Sequence, residues 1–369
     1  MNIVARDRPS GAGRMSRRAP WPPTDLRQSG GRIPLATVGL LLAAAVLLWA
    51  LGLLPPSAAG PAVETRIMMD TLVTLKVWPG ARHPDPLGAA FQAMDQVDRL
   101  ASFHRPDSEL TLLNLRGRHQ PSVWFADLLR RADEAVRRTE GYFDPTFSVL
   151  QRAYGFYDQK GRLPSADELR ECLTRVGWTR LVTLAPDPTA TGGLTITLAS
   201  GAQIDLGGIA GGFAIERAAA VLREAGCPAF FIDDGGDLWM EGGKPDGQPW
   251  RVAVRDPRDG GALAYVESVQ PVAISTSGDY ERFLMVGSRR INHIFDPRTG
   301  EPAGWYRSVT VIASSPLLAD IWSTALFAMP PVEARLAADR ENLPALFLPA
   351  TGPVWLSAAG PAWFERVRP

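Results

Sequence analysis

The sequence contains few residues of the kinds that bind transition metals. Its 369 residues include two cysteines and four histidines. Cys172 and Cys227 lie far apart and match no zinc-binding spacing, and so few histidines make a multi-histidine zinc site unexpected. We expect both cysteines to be small buried residues, with a disulfide between them left open in an oxidising compartment.

The sequence also lacks an excess of either charge. Lys and Arg number 39, Asp and Glu also number 39, and the formal net charge is zero. Nucleic-acid-binding domains usually carry a basic excess, so no nucleic-acid partner is expected. The composition, 46% hydrophobic and 21% charged, is that of an ordinary globular protein, and the length allows two domains or one large two-lobed domain.

Charge is missing altogether from one stretch near the N-terminus. Residues 35–54 are uncharged, and as a helix they would cross a hydrocarbon core of ~30 Å. Arginines predominate among the charges of residues 1–34, so we expect a cytoplasmic leader there and translocation of the chain after residue 54. The pattern predicts an inner-membrane anchor, a linker at 55–63 and a periplasmic domain at 64–369. Cleavage near Ser57-Ala58-Ala59, which would release an exported protein, stays open.

After the linker, apolar periodicity predicts clustered strands and separate helices. The predicted strands are Thr71–Val77, Val182–Leu184, Leu194–Leu198, Ala202–Asp205, Phe230–Ile232, Arg251–Arg255, Ala264–Val269 and Ser308–Ala313. The predicted helices are Leu87–Leu100, Trp124–Arg138, one from the capping box at Ser165 to about Val176, one after Gly212, Pro316–Met329 and Val332–Asn342. Because strands and helices do not alternate regularly, we predict an α+β fold.

The densest pattern lies between Ile204 and Asp237. A strand ends at Asp205, a turn with four glycines comes next, and an amphipathic helix begins; a second strand ends in the acidic glycine turn Asp233–Asp237. A glycine turn that opens a helix can present backbone amides to phosphate, and nearby acids can hold ribose hydroxyls or a hard cation. Turns also need glycine for backbone reasons, so this pattern alone is weakly specific.

Asp320 and Thr324 form a candidate metal-binding pair. Four residues apart on a predicted helix, they project from the same face. A carboxylate and a hydroxyl, joined by a loop carbonyl, suit a hard cation such as Mg²⁺. The alternative is that Asp320 caps or forms an ion pair and Thr324 bonds to its own helix.

His293 is the main candidate for a general acid or base. It is the one histidine inside a dense motif, His293–Gly300, and the ordinary pKa of a histidine is ~6.5. A histidine that simply bonds to the backbone of the adjacent turn is the alternative.

Several segments together resemble one known family. They are Met69-Asp70-Thr71, residues 103–110 with Asn114, Gly141–Thr146, Ile204–Asp237, Ser275–Arg282, His293–Gly300 and the helix with Asp320 and Thr324. On these segments the chain resembles the FAD:protein FMN transferases (ApbE-type flavin transferases) from about Glu64 to about Leu348. The resemblance implies a two-lobed α+β structure, related to the T-fold, with a cleft between the lobes.

The resemblance also implies a set of site residues. It implies Mg²⁺ bound by Asp320, Thr324 and the Gly208 carbonyl, with Ser323 close by. The residues implied to contact FAD are Met69, His104, Tyr142, Phe143, Asp144, Asp205, Gly211 and Ile294. Gly211 stands where the family usually has a lysine, which removes a charge-assisted contact to the flavin or its phosphate. Arg282 or Arg298 are candidates to replace that charge.

The implied function is the Mg²⁺-dependent transfer of FMN from FAD to a Thr or Ser hydroxyl of an acceptor flavoprotein, with release of AMP. His293 or Asp279 is the candidate base near that hydroxyl. Two alternatives stay open: hydrolysis of FAD to FMN and AMP, and a non-catalytic FAD-binding accessory protein of a respiratory complex.

Overall fold

The computed structural model describes residues 60–78, 80, 82–244 and 246–368. The predicted leader at 1–34, the predicted anchor at 35–54 and most of the linker at 55–63 lie outside the described residues. Within the described part, no helix combines the length and the apolar character needed to cross a membrane. From Pro61 onwards the chain forms one unit, so the two expected lobes do not separate into two bodies.

Strands make up four antiparallel sheets in the described part of the chain. Their bounds are β1 Ala62–Met68, β2 Thr71–Val77, β3 Arg118–His119, β4 Val182–Pro186, β5 Leu194–Leu198, β6 Phe230–Asp234, β7 Asp237–Glu241, β8 Trp250–Arg255, β9 Ala262–Ser268, β10 Val272–Gly278, β11 Phe283–Val286, β12 Arg289–Asn292, β13 Tyr306–Ala313, β14 Ala345–Pro349, β15 Trp355–Leu356 and β16 Phe364–Glu365. The main sheet has eight strands in the order β1-β2-β6-β7-β10-β13-β14-β15. The smaller sheets are β3-β5-β4, β16-β9-β8 and the hairpin β11-β12.

The helices connect these sheets. Their bounds are α1 Pro86–Ala101, α2 Glu109–Arg116, α3 Val123–Arg138, α4 Ser148–Tyr154, α5 Ala166–Leu173, α6 Trp178–Leu181, α7 Gly207–Glu224, α8 Pro316–Ala328 and α9 Pro331–Arg340, with 3₁₀ turns at Pro145–Phe147 and Gly360–Ala362. Antiparallel sheets with separate helices confirm the predicted α+β class.

Most predicted elements occur within one or two residues of their expected bounds, but the strand predicted at Ala202–Asp205 was wrong. That segment pairs with no strand. Instead, the Asn114 side chain brackets Ile204: its amide donates to the Ile204 carbonyl and its oxygen accepts from the Ile204 amide, both at 2.8 Å. A single side chain thus satisfies the backbone groups that a neighbouring strand would otherwise pair.

The main core lies between one face of the eight-stranded sheet and the helices. Helix α7 packs on both α1 and α8, and α8 crosses β10 and β13. The α7–α8 contact is close at Gly212, because a Cβ there would lie 2.7 Å from the Leu317 Cα and from the Pro316 carbonyl oxygen. Only glycine allows this approach, which sets the two helices that carry the candidate metal ligands against each other.

The other face of the main sheet is covered by the sheet β8-β9-β16. Val272 and Ile274 on β10 are buried, and Ile274 packs in this second core. The alternate β10 residues Ser275 and Ser277 lie on the opposite face, where they contact α8. Alternation along β10 therefore places a row of hydroxyls beneath α8.

The glycines after Asp205 are helical, contrary to the predicted turn. Helix α7 begins at Gly207, and within it only Gly208 departs from helical dihedrals, with φ −86° and ψ 15°. None of them is needed for left-handed backbone, and at Gly212 the missing side chain permits close packing. The second acidic glycine turn does need glycine, since Gly235 and Gly236 have φ of 62° and 112° in the β6–β7 hairpin.

Candidate active site

A cleft of about 1110 Å³, including solvent at its mouth, opens where α7, α8, the β6–β7 hairpin and β10 meet. Its lining residues are Tyr142, Phe143, Asp144, Phe147, Gln151, Asp205, Gly207, Gly208, Gly235, Asp237, Ser275, Thr276, Ser277, Gly278, Glu281, Arg282, His293, Ile294, Phe295, Pro297, Asp320 and Thr324. The lining combines carboxylates, hydroxyls and aromatic rings, a mixture of polar and apolar groups that is typical of small-molecule sites.

The predicted metal ligands Asp320, Thr324 and Gly208 meet in this cleft. A Cβ built on Gly208 would lie 3.7 Å from the Thr324 hydroxyl oxygen, so the kink in α7 adjoins the polar face of α8. Asp320 is 7% exposed, and its Oδ2 accepts a 3.0 Å hydrogen bond from the Gly212 amide. The result is an oxygen-rich corner with one carboxylate and one hydroxyl, a donor set that fits a hard divalent cation.

Ser323, by contrast, lies outside this corner. Its buried hydroxyl is 3.0 Å from the Ser275 hydroxyl and 2.9 Å from the Ser277 hydroxyl, and it donates to the Asp320 carbonyl oxygen. Ser277 is also 3.4 Å from the Thr324 hydroxyl oxygen. Ser323 therefore anchors α8 to β10 and orients its neighbours.

Three carboxylates crowd together behind the metal corner. From the Cβ position of Gly211, the Oδ2 atoms of Asp234, Asp237 and Asp320 are at 3.4, 3.6 and 3.7 Å. Burial and the nearby negative charges raise the pKa of all three, that of Asp237 to about 7. A buried group of like charges needs protons or cations to be stable.

Asp205 stands at the N-terminus of α7 and accepts a 2.8 Å hydrogen bond from the Gly207 amide. Burial raises its pKa, while the positive charge of Arg282 and the neighbouring His104 act in the opposite direction. Both Asp205 and Arg282 line the cleft. Arg282 therefore places a positive charge in the lining of the cleft, whereas Arg298 stacks 4.0 Å from the Tyr142 ring and pairs with Glu333.

His293 lines the cleft and is fixed by one backbone group. Its Nδ1 is 3.0 Å from the Arg282 carbonyl oxygen, which can only accept, so Nδ1 carries the proton and Nε2 carries the lone pair. Burial and the Arg282 charge lower its pKa to about 4. The ring is therefore neutral near pH 7 and can accept a proton.

Asp279 does not line the cleft. Its carboxylate accepts from Arg307 at 2.9 Å and from Arg290 at 3.5 Å. Both carboxylate oxygens are thus engaged by guanidinium groups. The geometry therefore disfavours Asp279 as a base, and its role is to tie β10 to β13 and to the β11–β12 hairpin.

The segment Tyr142-Phe143-Asp144 forms one wall of the cleft. The Phe143 ring contacts the Gly208 Cβ position at 3.3 Å, and the Tyr142 hydroxyl donates to Glu333 at 2.7 Å. Asp144 accepts from the Thr146 amide and hydroxyl and from the Trp178 amide, so its carboxylate is used by the fold. Ile294 completes this wall.

Met69, His104 and Gly211 do not line the cleft. Met69 and Asp70 form the tight β1–β2 turn with φ of 51° and 62°, and Met69 packs against the main core. His104 lies near Asp205, beside Phe103, whose ring stacks on Tyr157 with centroids 5.0 Å apart. Gly211 lies one turn into α7, behind the cleft surface.

The sequence interpretation missed several residues of the site. Asp237, Ser275 and Ser277 line the cleft, and Asp234 lies behind them. The acidic glycine turn and the Ser275–Arg282 motif contained the signal. The sequence could not show that the β6–β7 hairpin folds against α7 and α8.

Comparisons with known proteins identify the family of this chain. The model of the ApbE family matches residues 69–347. The FAD:protein FMN transferase of Treponema pallidum is 31% identical over 72% of this chain and 78% of its own length. Among solved structures, the ApbE protein of Thermotoga maritima superposes with a TM-score of 0.76 at 28% identity, covering 82% of this chain and 99% of that one. The apo form of the Pseudomonas stutzeri flavinyl transferase ApbE gives a TM-score of 0.73 at 27% identity, covering 83% and 97%. The chain belongs to the ApbE family.

Proposed function

We propose that this protein transfers FMN from FAD to a Thr or Ser hydroxyl of an acceptor protein, with Mg²⁺ bound and AMP released. The curated relatives carry the name FAD:protein FMN transferase. The observation that carries the proposal is the meeting of Asp320, Thr324 and Gly208 in the cleft, beside the N-terminus of α7.

Asp320, Thr324 and the Gly208 carbonyl are the groups proposed to hold Mg²⁺. Asp320 Oδ2 is held by the Gly212 amide, which fixes the carboxylate while leaving its other oxygen for a cation. When bound, the ion would neutralise the negative charge that develops on the pyrophosphate. The carboxylates of the cleft would otherwise repel that pyrophosphate, which is a second reason for a cation here.

The proposed reaction exchanges one bond at phosphorus. The acceptor hydroxyl oxygen forms a bond to the FMN-side phosphorus, the phosphoanhydride bond breaks, and its oxygen leaves on AMP. The hydroxyl proton is accepted by His293 Nε2, and the Arg282 carbonyl fixes the orientation of the ring. The amide groups at the N-terminus of α7 and the Arg282 side chain favour binding of the anionic substrate.

One assay tests this proposal against its two alternatives. The full-length protein is incubated with FAD, Mg²⁺ and a candidate acceptor flavoprotein domain. Gain of FMN on the acceptor supports transfer. Free FMN and AMP without a change in acceptor mass would mean hydrolysis, and unchanged FAD would mean a binding protein.

We also propose that the domain from Pro61 onwards works outside the cytoplasm, held by an inner-membrane anchor at residues 35–54. The uncharged stretch and its arginine-rich leader support this topology. An alkaline phosphatase fusion after Gly60 should be active in cells. An inactive phosphatase, together with an active cytoplasmic reporter at the same junction, would overturn the topology.

A further inference from the structure

Gln151 is a buried residue of the cleft wall whose side chain has no hydrogen-bond partner in the protein. It lies on α4, is 5% exposed and lines the cleft. Its backbone carbonyl accepts from the Phe156 amide at 2.9 Å, but among the described residues none forms a hydrogen bond with its side-chain amide. Both polar atoms of that amide still reach solvent. The amide therefore opens onto the cleft.

The fold itself makes no use of this amide. At such burial the amide has lost most of its contact with water and has gained no bond to the protein, which is unfavourable. A leucine or methionine would pack in the same place without that cost. The neighbouring carboxylate of Asp144 differs, because it accepts bonds from Thr146 and Trp178. Gln151 thus has a donor and an acceptor that are free for a ligand.

The part of the wall that contains Gln151 is mainly apolar. Phe147, four residues earlier, lines the cleft, and so do Ile294 and Phe295. The Phe295 ring lies 5.1 Å from the Tyr154 ring of α4 by centroid, so the segment that begins at His293 packs along this helix. Among the lining residues given above, Gln151 alone carries a side-chain amide. One amide in an apolar wall fits a flat aromatic ring with a polar edge.

The position of His293 indicates which half of FAD meets this wall. In the proposed transfer, His293 takes the proton of the attacking hydroxyl. The attacking and leaving oxygens lie roughly in line on opposite sides of phosphorus. AMP therefore leaves away from the His293 side, and the FMN half stays beside it. This step rests on the proposed function, whereas the free amide of Gln151 does not.

We propose that Gln151 binds the flavin ring of FAD through the pyrimidine edge of that ring. This edge carries a ring N–H between two carbonyl groups. The side-chain oxygen of Gln151 accepts from the N–H, and its nitrogen donates to a carbonyl oxygen. Phe147 offers an apolar surface beside the ring. Because a site built to hydrogen-bond its substrate rejects an analogue that lacks the bond, Gln151 makes the site specific for an unmodified flavin.

The test measures binding without Mg²⁺ or acceptor. FAD is titrated into the full-length protein in EDTA and followed by flavin fluorescence. Gln151→Met keeps the length and the helix propensity of the side chain, and it should raise the Kd for FAD about 5–10-fold. Its unfolding midpoint without ligand should not fall, because no protein group loses a bond. Gln120→Met is the matched control, since Gln120 bonds to Asp187 at 2.9 Å outside the cleft lining and its loss should leave the Kd unchanged.

Three smaller ligands show which group the amide contacts. Gln151→Met should lose affinity for FMN as it does for FAD, and it should bind AMP as the wild-type protein does. In 3-methyl-FMN a methyl group replaces the hydrogen of the ring N–H. This change should weaken binding to the wild-type protein about 5–10-fold and should have little effect on Gln151→Met, where the bond is already absent.

Several results would overturn the proposal. Equal FMN affinity of the wild-type protein and Gln151→Met is one, and a loss confined to AMP is another, because it would assign the amide to the adenine. A lower unfolding midpoint, or failure to fold, would give Gln151 a structural role. Equal binding of FMN and 3-methyl-FMN by the wild-type protein overturns the proposal without any variant. Since transfer is not the readout, a chain that binds flavin through Gln151 but transfers no FMN would contradict only the proposed function.

Discussion

The Asp320 carboxylate on α8 accepts a buried 3.0 Å hydrogen bond from the backbone amide of Gly212 on α7, 108 residues earlier in the chain. This bond joins the two helices that supply the proposed Mg²⁺ ligands. It exists because Gly212 lets the helices approach so closely. The close packing at Gly212 therefore also fixes the position of the Asp320 carboxylate.

Asp320→Asn should separate activity from stability. Asparagine keeps an oxygen that can accept from the Gly212 amide, but it removes the charge that a hard cation needs. Transfer should fall by at least about 100-fold. The free energy of unfolding without Mg²⁺ should not decrease, because a like-charge contact with Asp237 and Asp234 is relieved. Chemical denaturation and acceptor mass measure the two quantities, and wild-type activity of the variant would refute the ligand assignment.

Thr324→Val and Ser323→Ala should differ in their effect on Mg²⁺ dependence. Thr324 lines the cleft beside Gly208, so its loss should raise the Mg²⁺ concentration needed for half-maximal transfer. Ser323 bonds to Ser275 and Ser277, so its loss should act mainly on stability, by about 1–3 kcal/mol. A larger shift in Mg²⁺ dependence for Ser323→Ala than for Thr324→Val would reverse the two roles.

Gly212→Ala and Gly211→Ala should have opposite effects on stability. The new methyl group at position 212 would lie 2.7 Å from the backbone of α8, so we expect a loss of about 1–3 kcal/mol. At position 211 the contacts are 3.4 Å or longer, and alanine should stabilise the helix by roughly 0.5–1 kcal/mol. Urea denaturation decides this, and equal losses in both variants would contradict the described α7–α8 contact.

His293 should remain neutral down to about pH 4, whereas an ordinary histidine titrates near pH 6.5. Because the folded pKa lies below the unfolded one, the unfolded chain binds the proton first as pH falls. The neutral ring therefore contributes stability above pH 6.5 that is lost between about 6.5 and 4. Measured in the same buffers, the free energy of unfolding of His293→Gln should fall less between pH 7 and pH 5 than that of the wild-type protein. An equal loss would show that the imidazole pKa is not lowered.

His293→Ala and Asp279→Asn should also differ in activity. If His293 accepts the hydroxyl proton, its removal should lower transfer by about 10²–10⁴-fold. Asp279 is bound to Arg307 and Arg290 and lies away from the cleft, so Asp279→Asn should leave kcat nearly unchanged. A large loss of kcat in folded Asp279→Asn, with His293→Ala active, would exchange the two assignments.

Local periodicity was sufficient to predict most strands and helices, because each of these elements buries one face. The strand Thr71–Val77 and the strand Leu194–Leu198 have the predicted bounds. The failure at Ala202–Asp205 has a long-range cause, since the Asn114 side chain replaces a neighbouring strand there. The sequence predicts a turn at the glycines of α7, which are helical, because their packing partner, α8, lies about a hundred residues away.

The candidate site was predictable where motif and local geometry coincide. Asp320, Thr324, Asp205 and His293 all line the cleft. Asp279 belongs to the same motif region, but a sequence motif does not show that two arginines from β12 and β13 occupy its carboxylate. The crowding of Asp234, Asp237 and Asp320 could not be predicted either, because it arises only when two sequence-distant helices meet the β6–β7 hairpin.

The most direct test of the proposed function counts products in a single reaction. The full-length protein, FAD, Mg²⁺ and an acceptor domain are incubated together, and acceptor mass and AMP are quantified over time, with an acceptor lacking its target hydroxyl as control. We predict one AMP for each FMN attached, no attachment to the control acceptor, and no reaction with Asp320→Asn. AMP released equally with and without the target hydroxyl, while the acceptor stays unmodified, would contradict the account.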